Sequence, residues 1–252
     1  PQTVPNIVPG NEKGAAAWGD AATICPWTMY EIYGDTRILE RQYESMKGWV
    51  DYIRARSEND LWLCDFQYGD WLALDKEEFS DRTGATDKYF IASAYYALSV
   101  ELTAKAALIL GKRKESEKYS SLYRRIVESF QKEFLTARGR LVSETQTAFV
   151  LALGFNLVPE KFRGQISDRL RKNLKEHGNH LVTGFVGTPY LCHVLSENGM
   201  HDLAQALLLN EDYPSWLYEV KMGATTVWER WNAIQPNGKL YDPGMSSFNH
   251  YA

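Results

Sequence analysis

Apolar and polar positions follow one another along the chain in a way that predicts pairs of helices. Residues 88–110 are apolar or small on nearly every face, as expected of a helix surrounded by other helices. In residues 118–134 the apolar side chains recur every three or four positions between charged ones, which predicts an amphipathic helix with one solvent-exposed face. Gly111 separates the two segments and suits a left-handed helix C-cap. Together they predict a helical hairpin with an inner and an outer member.

The same inner and outer order recurs three more times. The further predicted hairpins are residues 18–33 with 38–53, 147–153 with 159–176, and 188–198 with 201–209, separated by Gly34, Gly154 and Gly199. Strand signals are nearly absent, so we predict an all-α fold. Repeated hairpins with apolar inner helices favour an α/α toroid over an open solenoid, because closure buries the inner helices completely. Four hairpins leave an (α/α)6 toroid incomplete, and we expect residues 243–252 to begin another inner helix, for four to five pairs in all.

Composition and charge narrow the class of protein. The formal net charge of the 252 residues is −4 and there is no basic stripe, which argues against nucleic acid as a partner. There is no run of eighteen apolar residues, so we expect no membrane association. The three cysteines are widely spaced and the histidines lack metal-ligand spacing, so we expect neither a metal ion nor another cofactor. The 8 Trp, 15 Tyr and 10 Phe exceed what a core of this size requires.

The most distinctive local feature is a glutamate between two tryptophans. Glu229 lies between Trp228 and Trp231, with Arg230 beside it. A carboxylate held against indole rings has a raised pKa or lines a sugar site, because aromatic faces stack on the C–H faces of pyranoses. Two core tryptophans beside an exposed Glu229–Arg230 pair explain the pattern equally well. His250 follows a Gly-Met-Ser loop, and the sequence alone leaves open whether it faces a pocket.

Three further aspartates lie in other loops that are rich in aromatic residues. Asp20 follows Trp18 and a glycine, Asp70 precedes Trp71, and Asp87 comes directly before a predicted helix. Helix N-capping is the more common role for such an aspartate and applies to Asp20 and Asp87, while Trp18 and Trp71 could equally be core residues. The chain has no phosphate loop, nucleophile elbow or dinucleotide motif. Carboxylates with aromatics on a helical fold therefore favour glycoside cleavage, which needs a proton donor and a second carboxylate.

Seven short phrases, in order along the chain, carry a family resemblance. They are Ala-Ala-Trp-Gly-Asp-Ala (16–21), Tyr-Gly-Asp-Trp-Leu (68–72), Thr-Gln-Thr-Ala (145–148), the segment 180–190, Tyr-Pro-Ser-Trp (213–216), the segment 223–231 and Ser-Phe-Asn-His-Tyr (247–251). The most specific are Thr-Gly-Phe-Val-Gly-Thr-Pro-Tyr, within 180–190, and Gly-Ala-Thr-Thr-Val-Trp-Glu-Arg-Trp, at 223–231. Through these phrases the chain resembles bacterial α-L-rhamnosidases, which are glycoside hydrolases with a six-hairpin α/α toroid.

The resemblance implies an inverting hydrolase that releases terminal α-linked L-rhamnose from rhamnose-containing glycosides or polysaccharides. Glu229 matches the family's general base, which activates water, and His250 matches a histidine lining the rhamnose pocket. Trp18 and Trp71 resemble aromatic walls that pack against the sugar, and Asp87 resembles an acceptor for a sugar hydroxyl. The residues expected to support these groups without touching the sugar are Asp20, Asp70, Trp228, Arg230 and Trp231.

One part of the family pattern has no match. The family's general acid is a glutamate upstream of the Ala-Trp-Gly-Asp phrase, and the 252 residues contain no counterpart. We therefore expect residues 1–252 to be a fragment of one toroid catalytic domain, with the acid-bearing segment and flanking β-sandwich domains outside it. The remainder of its own polypeptide is then an expected partner, and the isolated chain should be inactive. The alternatives are a degenerate copy, a non-catalytic glycan-binding module, or another toroid enzyme such as an unsaturated glucuronyl hydrolase. The sequence does not indicate a compartment.

Overall fold

Helical hairpins make up most of the regular structure in the described part of the chain. The structure, a computed structural model, describes residues 13–76 and 82–250. Its helices in these ranges are α1 (Ala21–Tyr33), α2 (Thr36–Arg54), α3 (Lys88–Ile109), α4 (Arg113–Phe134), α5 (Gln146–Gly154), α6 (Glu160–Glu176), α7 (Thr188–Glu197), α8 (His201–Leu208) and α9 (Trp216–Lys221). The first eight pack as four consecutive hairpins, α1 with α2, α3 with α4, α5 with α6 and α7 with α8. The predicted all-α class and the four predicted hairpins are confirmed.

The chain divides into two compact units. The first unit consists of Pro1–Gly69 and Asp87–Arg138 and contains α1 to α4. The second unit consists of Asp70–Thr86 and Gly139–Ala252 and contains α5 to α9. Each unit thus holds two of the four hairpins. Within the described ranges, none of the helices combines the length and the apolar character needed to cross a membrane.

Helix α3 forms the core of the first unit. It is buried on nearly every face and packs against α1, α2 and α4. The ring of Phe90, at its start, lies 4.8 Å from the ring of Phe130 and 5.3 Å from that of Phe134. The buried stripe of α4 contains the apolar positions that the periodicity predicted, which are Tyr119, Leu122, Ile126, Phe130 and Phe134. The inner and outer members of this hairpin are therefore as predicted.

Helix α1 is less buried than predicted. Its buried residues are Thr23 and Pro26, whereas Ile32 and Tyr33 are 67% and 69% exposed. Within the first unit α1 packs against α2 and α3, which cover only part of its surface. The prediction that residues 18–33 form a fully enclosed inner helix is therefore wrong for this unit.

In the second unit, α5 is the enclosed helix, and Gly154 ends it without adopting the left-handed conformation. Gly154 is the last residue of α5, and the left-handed conformation falls on Asn156 instead, at φ 55°. A Cβ on Gly154 would lie 2.9 Å from Cγ2 of Val194 in α7, so the glycine permits close packing of the two helices. Gly111 has the predicted left-handed φ, at 72°, and the separating glycines Gly34 and Gly199 share that conformation, at 64° and 73°.

The segment that follows α9 is irregular. Residues 243–250 form no helix, so the predicted start of another inner helix is wrong over these positions, while residues 251–252 lie outside the described residues. The backbone instead pairs across the loop, since His250 donates its N–H to the carbonyl of Val227 at 2.9 Å and Glu229 donates to the carbonyl of Ser247 at 2.9 Å. These long-range partners replace the i→i−4 hydrogen bonds that a helix would need.

Gly19→Ala tests the packing of the turn that precedes α1. Gly19 lies against the buried indole of Trp49, and an added Cβ would be 2.3 Å from the Cη2 atom of that ring. Overpacking of this kind should lower the free energy of unfolding by about 1–3 kcal/mol. Gly48→Ala is the matched control, because Gly48 lies in α2 with nothing within 4 Å of the new Cβ. The control should be neutral or stabilising by roughly 0.5–1 kcal/mol. Urea denaturation measures both variants, and equal effects would contradict the close contact.

Candidate active site

The carboxylate of Glu229 is held by the backbone. Glu229 is half-buried in the irregular segment after α9. Its N–H donates to the carbonyl of Ser247 at 2.9 Å, and its Oε2 accepts from the N–H of Ser247 at 2.9 Å. Among the described residues nothing donates to the other carboxylate oxygen. One oxygen of Glu229 is thus fixed in place while the second remains able to accept a proton.

The two tryptophans on either side of Glu229 are core residues. Trp228 is buried, packs with Tyr218 and Ala233, and meets the ring of Phe248 edge to face at 5.4 Å. Trp231 is also buried, and its indole Nε1–H donates to the carbonyl of Thr183 at 3.1 Å. The interpretation of these tryptophans as core residues is therefore correct, and they anchor the segment on both sides of the glutamate.

Arg230 faces away from its neighbour Glu229. Its side chain is buried, with Nε donating to Oδ1 of Asn232 at 2.8 Å and Nη1 lying 3.4 Å from Oδ2 of Asp242. Asp242 also accepts from Nη2 of Arg82 at 2.9 Å. Burial raises the pKa of Asp242, but the hydrogen bond from Arg82 and the two positive charges outweigh burial and leave that pKa lowered. The alternative of an exposed Glu229–Arg230 pair is therefore wrong.

The carboxylate of Asp70, in the second unit, accepts four hydrogen bonds. It is fully buried, and its Oδ1 accepts from the N–H groups of Val186 at 2.9 Å and Gly187 at 3.3 Å. Its Oδ2 accepts from the N–H of Gly184 at 2.9 Å and from the hydroxyl of Thr147. Burial raises the pKa of Asp70 to about 6, and these hydrogen bonds oppose the rise. The carboxylate thereby ties the loop of residues 183–187 to α5.

Trp71 and His250 both meet this 183–187 loop. Phe185 donates its N–H to the carbonyl of Trp71 at 3.0 Å, and its ring lies 5.1 Å from that of His250. Gly184 is required for the approach, because a Cβ there would lie 2.2 Å from the carbonyl oxygen of Trp71. Since Trp231 also donates to this loop, the second unit brings together Trp71, Trp231 and His250 around one segment of backbone.

In the first unit, Asp20 is buried and does not cap a helix. It stands at the N-cap position of α1, but its side chain makes no capping hydrogen bond, so the predicted N-cap role is wrong. Its Oδ1 accepts from the indole Nε1–H of Trp49 at 2.7 Å and from the hydroxyl of Ser99, and its Oδ2 accepts from the N–H of Ala17 at 2.8 Å. Burial raises the pKa of Asp20 to about 6. Asp20 therefore holds the turn that carries Trp18.

Trp18 and Asp87, the remaining predicted site residues, also belong to the first unit. Trp18 is half-buried, and its ring lies 4.7 Å from that of Tyr68. Asp87 is exposed and caps α3, because its Oδ1 accepts from the N–H groups of Tyr89 at 2.9 Å and Phe90 at 2.8 Å. The predicted N-cap role of Asp87 is confirmed, and its contact with a sugar stays a prediction.

Comparison with known proteins identifies the family. The family model for the bacterial alpha-L-rhamnosidase 6 hairpin glycosidase domain matches residues 1–252. The chain belongs to this family. The alpha-L-rhamnosidase of Streptomyces avermitilis is 41% identical over 240 residues, which are 95% of this chain and 22% of that protein. An alpha-L-rhamnosidase of Formosa agariphila is 40% identical over 253 residues, 99% of this chain and 27% of that protein.

Solved structures agree with the family assignment. The Streptomyces avermitilis alpha-L-rhamnosidase complexed with L-rhamnose has a TM-score of 0.87 and 42% identity, over 94% of this chain and 22% of that one. The native alpha-L-rhamnosidase of Aspergillus terreus has a TM-score of 0.90 and 38% identity, over 98% of this chain and 29% of that one. The predicted resemblance and the six-hairpin fold class are confirmed, and the chain spans roughly a quarter of the length of these relatives.

The two most specific rhamnosidase phrases coincide with the two segments that organise the second unit. The phrase at 183–190 includes the loop bound by Asp70 and the start of α7. The phrase at 223–231 carries Glu229 and both of its tryptophan neighbours. In the part of the chain that the structure describes, no three His, Cys, Asp or Glu side chains form a group able to hold a metal ion.

Sequence reasoning missed Glu219, which supports the same segment. Glu219 is 3% exposed and accepts the N–H of Trp228 at 3.2 Å on its Oε2. Burial raises the pKa of Glu219 to about 8. The local sequence carries no sign of this role, because a glutamate in the first turn of a short helix is typical of a solvated position that favours the helix dipole. The Tyr-Pro-Ser-Trp phrase at 213–216, just before it, was the only available signal.

Thr147→Val tests the Asp70 carboxylate through its pH dependence. The pKa of Asp70 is raised from 3.8 to about 6, so the stability that this group contributes falls as the pH rises from about 4 to about 6 and changes no further at higher pH. The Thr147 hydroxyl donates to the ionised carboxylate, and removing it should cost about 1.5–3 kcal/mol at pH 8 and much less at pH 4, where Asp70 is protonated.

Thr147→Ser is the matched control, since it keeps the hydroxyl and loses one methyl group, at about 0.8 kcal/mol at either pH. Urea denaturation at the two pH values measures both variants. A loss for Thr147→Val that is the same at pH 4 and pH 8 would mean that the effect is packing and not the hydrogen bond to Asp70.

Proposed function

We propose that this chain is the general-base-bearing part of an inverting α-L-rhamnosidase, which releases terminal L-rhamnose from glycosides or polysaccharides. The observation that carries the proposal is the geometry of Glu229, whose carboxylate is fixed by Ser247 and flanked by the buried Trp228 and Trp231. Membership of the rhamnosidase family and the likeness to a relative complexed with L-rhamnose support it.

Glu229 acts as the base in this proposal. The N–H of Ser247 binds Oε2 and stabilises the negative charge, so that Oε1 is the oxygen able to take a proton from water. Removal of that proton lets the water attack the anomeric carbon on the face opposite to the leaving oxygen, which inverts the configuration. The carbonyl of Ser247 also accepts the N–H of Glu229, and this second hydrogen bond holds the backbone that carries the carboxylate.

The leaving oxygen needs a proton from a second carboxyl group. In an inverting enzyme that group stands about 6.5–9.5 Å from the base, with the water between them. No residue of this chain matches the family's acid, and the chain spans roughly a quarter of the relatives' length. We infer that the remainder of the polypeptide supplies the acid.

Sugar binding is assigned to four other residues. The half-buried indole rings of Trp18 and Trp71 suit the C–H faces and the methyl group of a rhamnose ring. His250, whose N–H donates to the carbonyl of Val227, is proposed to bind a sugar hydroxyl. Asp87 is proposed as a hydroxyl acceptor in addition to its role as the α3 N-cap.

Glu229→Gln tests the proposed base in the full-length enzyme. The amide cannot accept the proton of water, so kcat for an aryl α-L-rhamnoside should fall by about 10²–10⁴-fold while KM changes little. In the unmutated enzyme, proton NMR of the first product should show the β anomer, as inversion requires. Glu197→Gln, at an exposed position of α7, is the matched control and should retain full activity.

Two results would contradict the proposal. The first is an unchanged kcat in the Glu229→Gln enzyme. The second is calorimetric binding of L-rhamnose with no hydrolysis by the full-length protein, which would favour the glycan-binding module instead.

A further inference from the structure

Glu219 is a buried carboxyl group on a short helix. Helix α9 begins after Ser215, whose hydroxyl accepts the N–H of Tyr218 at 3.1 Å, and Glu219 follows in its first turn. Only 3% of Glu219 is exposed. Burial of a polar group is unfavourable unless hydrogen bonds compensate for it. The hydrogen bonds of this side chain therefore indicate why it is buried.

Glu219 holds both ends of one segment. Its backbone carbonyl accepts the N–H of Ala224 at 3.0 Å, and its side-chain Oε2 accepts the N–H of Trp228 at 3.2 Å. The residues between these two N–H groups form a five-residue segment, 224–228, and Glu229 follows it directly. A single residue therefore fixes the start and the end of the segment that leads into the proposed base.

Residues 247–250 also hold the segment, and the hydroxyl of Thr226 donates to the carbonyl of Phe248 there. Val227 accepts the N–H of His250 at 2.9 Å, and Glu229 exchanges two hydrogen bonds with Ser247. The buried carboxyl group of Glu219 accepts a different N–H of the segment, that of Trp228. Without it, the N–H of Trp228 would lose its acceptor in a buried position, and the segment would gain freedom at the residue adjacent to Glu229.

We propose that Glu219 is a positioning residue for Glu229, which sets the place of the base by binding the N–H groups of Ala224 and Trp228. The inference rests on the proposed function, and it goes further by assigning a role to a residue that does not touch the sugar. Burial also raises the pKa of Glu219 to about 8, so the carboxyl group is mostly protonated at pH 7. Its Oε1 has no hydrogen-bond partner among the described residues. A neutral glutamine of the same shape should therefore replace it.

The test compares Glu219→Gln with Glu219→Met. Glutamine keeps an acceptor for the N–H of Trp228, whereas methionine has a similar length and no such acceptor. In the full-length enzyme, Glu219→Met should lower kcat by about ten- to a hundredfold with KM changed less than about threefold, because a displaced base loses reactivity and not sugar affinity. Glu219→Gln should stay within about threefold of the unmutated enzyme in both constants. Glu197→Met, at an exposed position, is the control.

Hydrogen–deuterium exchange gives a readout that does not depend on catalysis. In Glu219→Met the amides of residues 224–229 should exchange about tenfold faster or more, as expected for loss of one buried hydrogen bond. The amides of α5 and α6 should be unchanged. If Glu219→Met does not fold, Glu219→Asp is used instead, because its carboxyl group is one methylene too short to reach the N–H of Trp228 from the same backbone.

The outcomes separate the two proposals. Unchanged exchange at residues 224–229, or a Glu219→Gln enzyme as impaired as Glu219→Met, would overturn the role of Glu219. A fall in kcat that only matches a smaller folded fraction, measured by active protein and circular dichroism, would also overturn it. If the unmutated enzyme releases no rhamnose, the proposed function fails, and the exchange result alone then decides whether Glu219 positions the segment.

Discussion

A buried carboxylate organises the second unit. Asp70 is fully removed from solvent, and a charge in that position is tolerated only when hydrogen-bond donors surround it. Three backbone N–H groups of the 183–187 loop and the hydroxyl of Thr147 provide those donors. The carboxylate in turn holds the loop in shape, because three N–H groups of the loop bind it. The carbonyl of Thr183 in the same loop accepts the indole N–H of Trp231. Trp71, the loop and Trp231 are thus connected through one acidic side chain.

The first unit uses the same physical solution at Asp20. That carboxylate is also fully buried, and its donors are an indole N–H, a hydroxyl and a backbone N–H. In both cases burial raises the pKa to about 6 and hydrogen bonds oppose the rise. Each of these aspartates precedes or follows a half-buried tryptophan, Trp18 or Trp71, that is proposed to meet the sugar. Precise placement of these rings therefore depends on buried carboxylates next to them in the sequence.

The proposed base is also held by hydrogen bonds from residues that the sequence did not indicate as site residues. Glu229 is oriented by the backbone of Ser247, and the segment before it is held by Glu219. The tryptophans on either side are core residues that anchor this segment, which explains part of the high aromatic content without assigning every ring to a sugar. The family phrase at 223–231 therefore contains residues that pack in the core as well as the proposed base.

The sequence by itself determined the four hairpins, the glycines that separate their helices, the left-handed cap at Gly111, the Asp87 cap and the family. These features are local, because helix periodicity, a C-cap and an N-cap each involve residues within about four positions of one another. Only the tertiary structure decided that Asp20 and Asp70 are buried, that Gly154 serves a helix contact, that residues 243–250 are not helical and that Glu219 is enclosed. Their partners lie far away along the chain, as with the 114 positions between Asp70 and Gly184. An aspartate before a helix looks the same in sequence whether it caps that helix or accepts a distant N–H. The packing of the whole unit decides which donor binds its carboxylate.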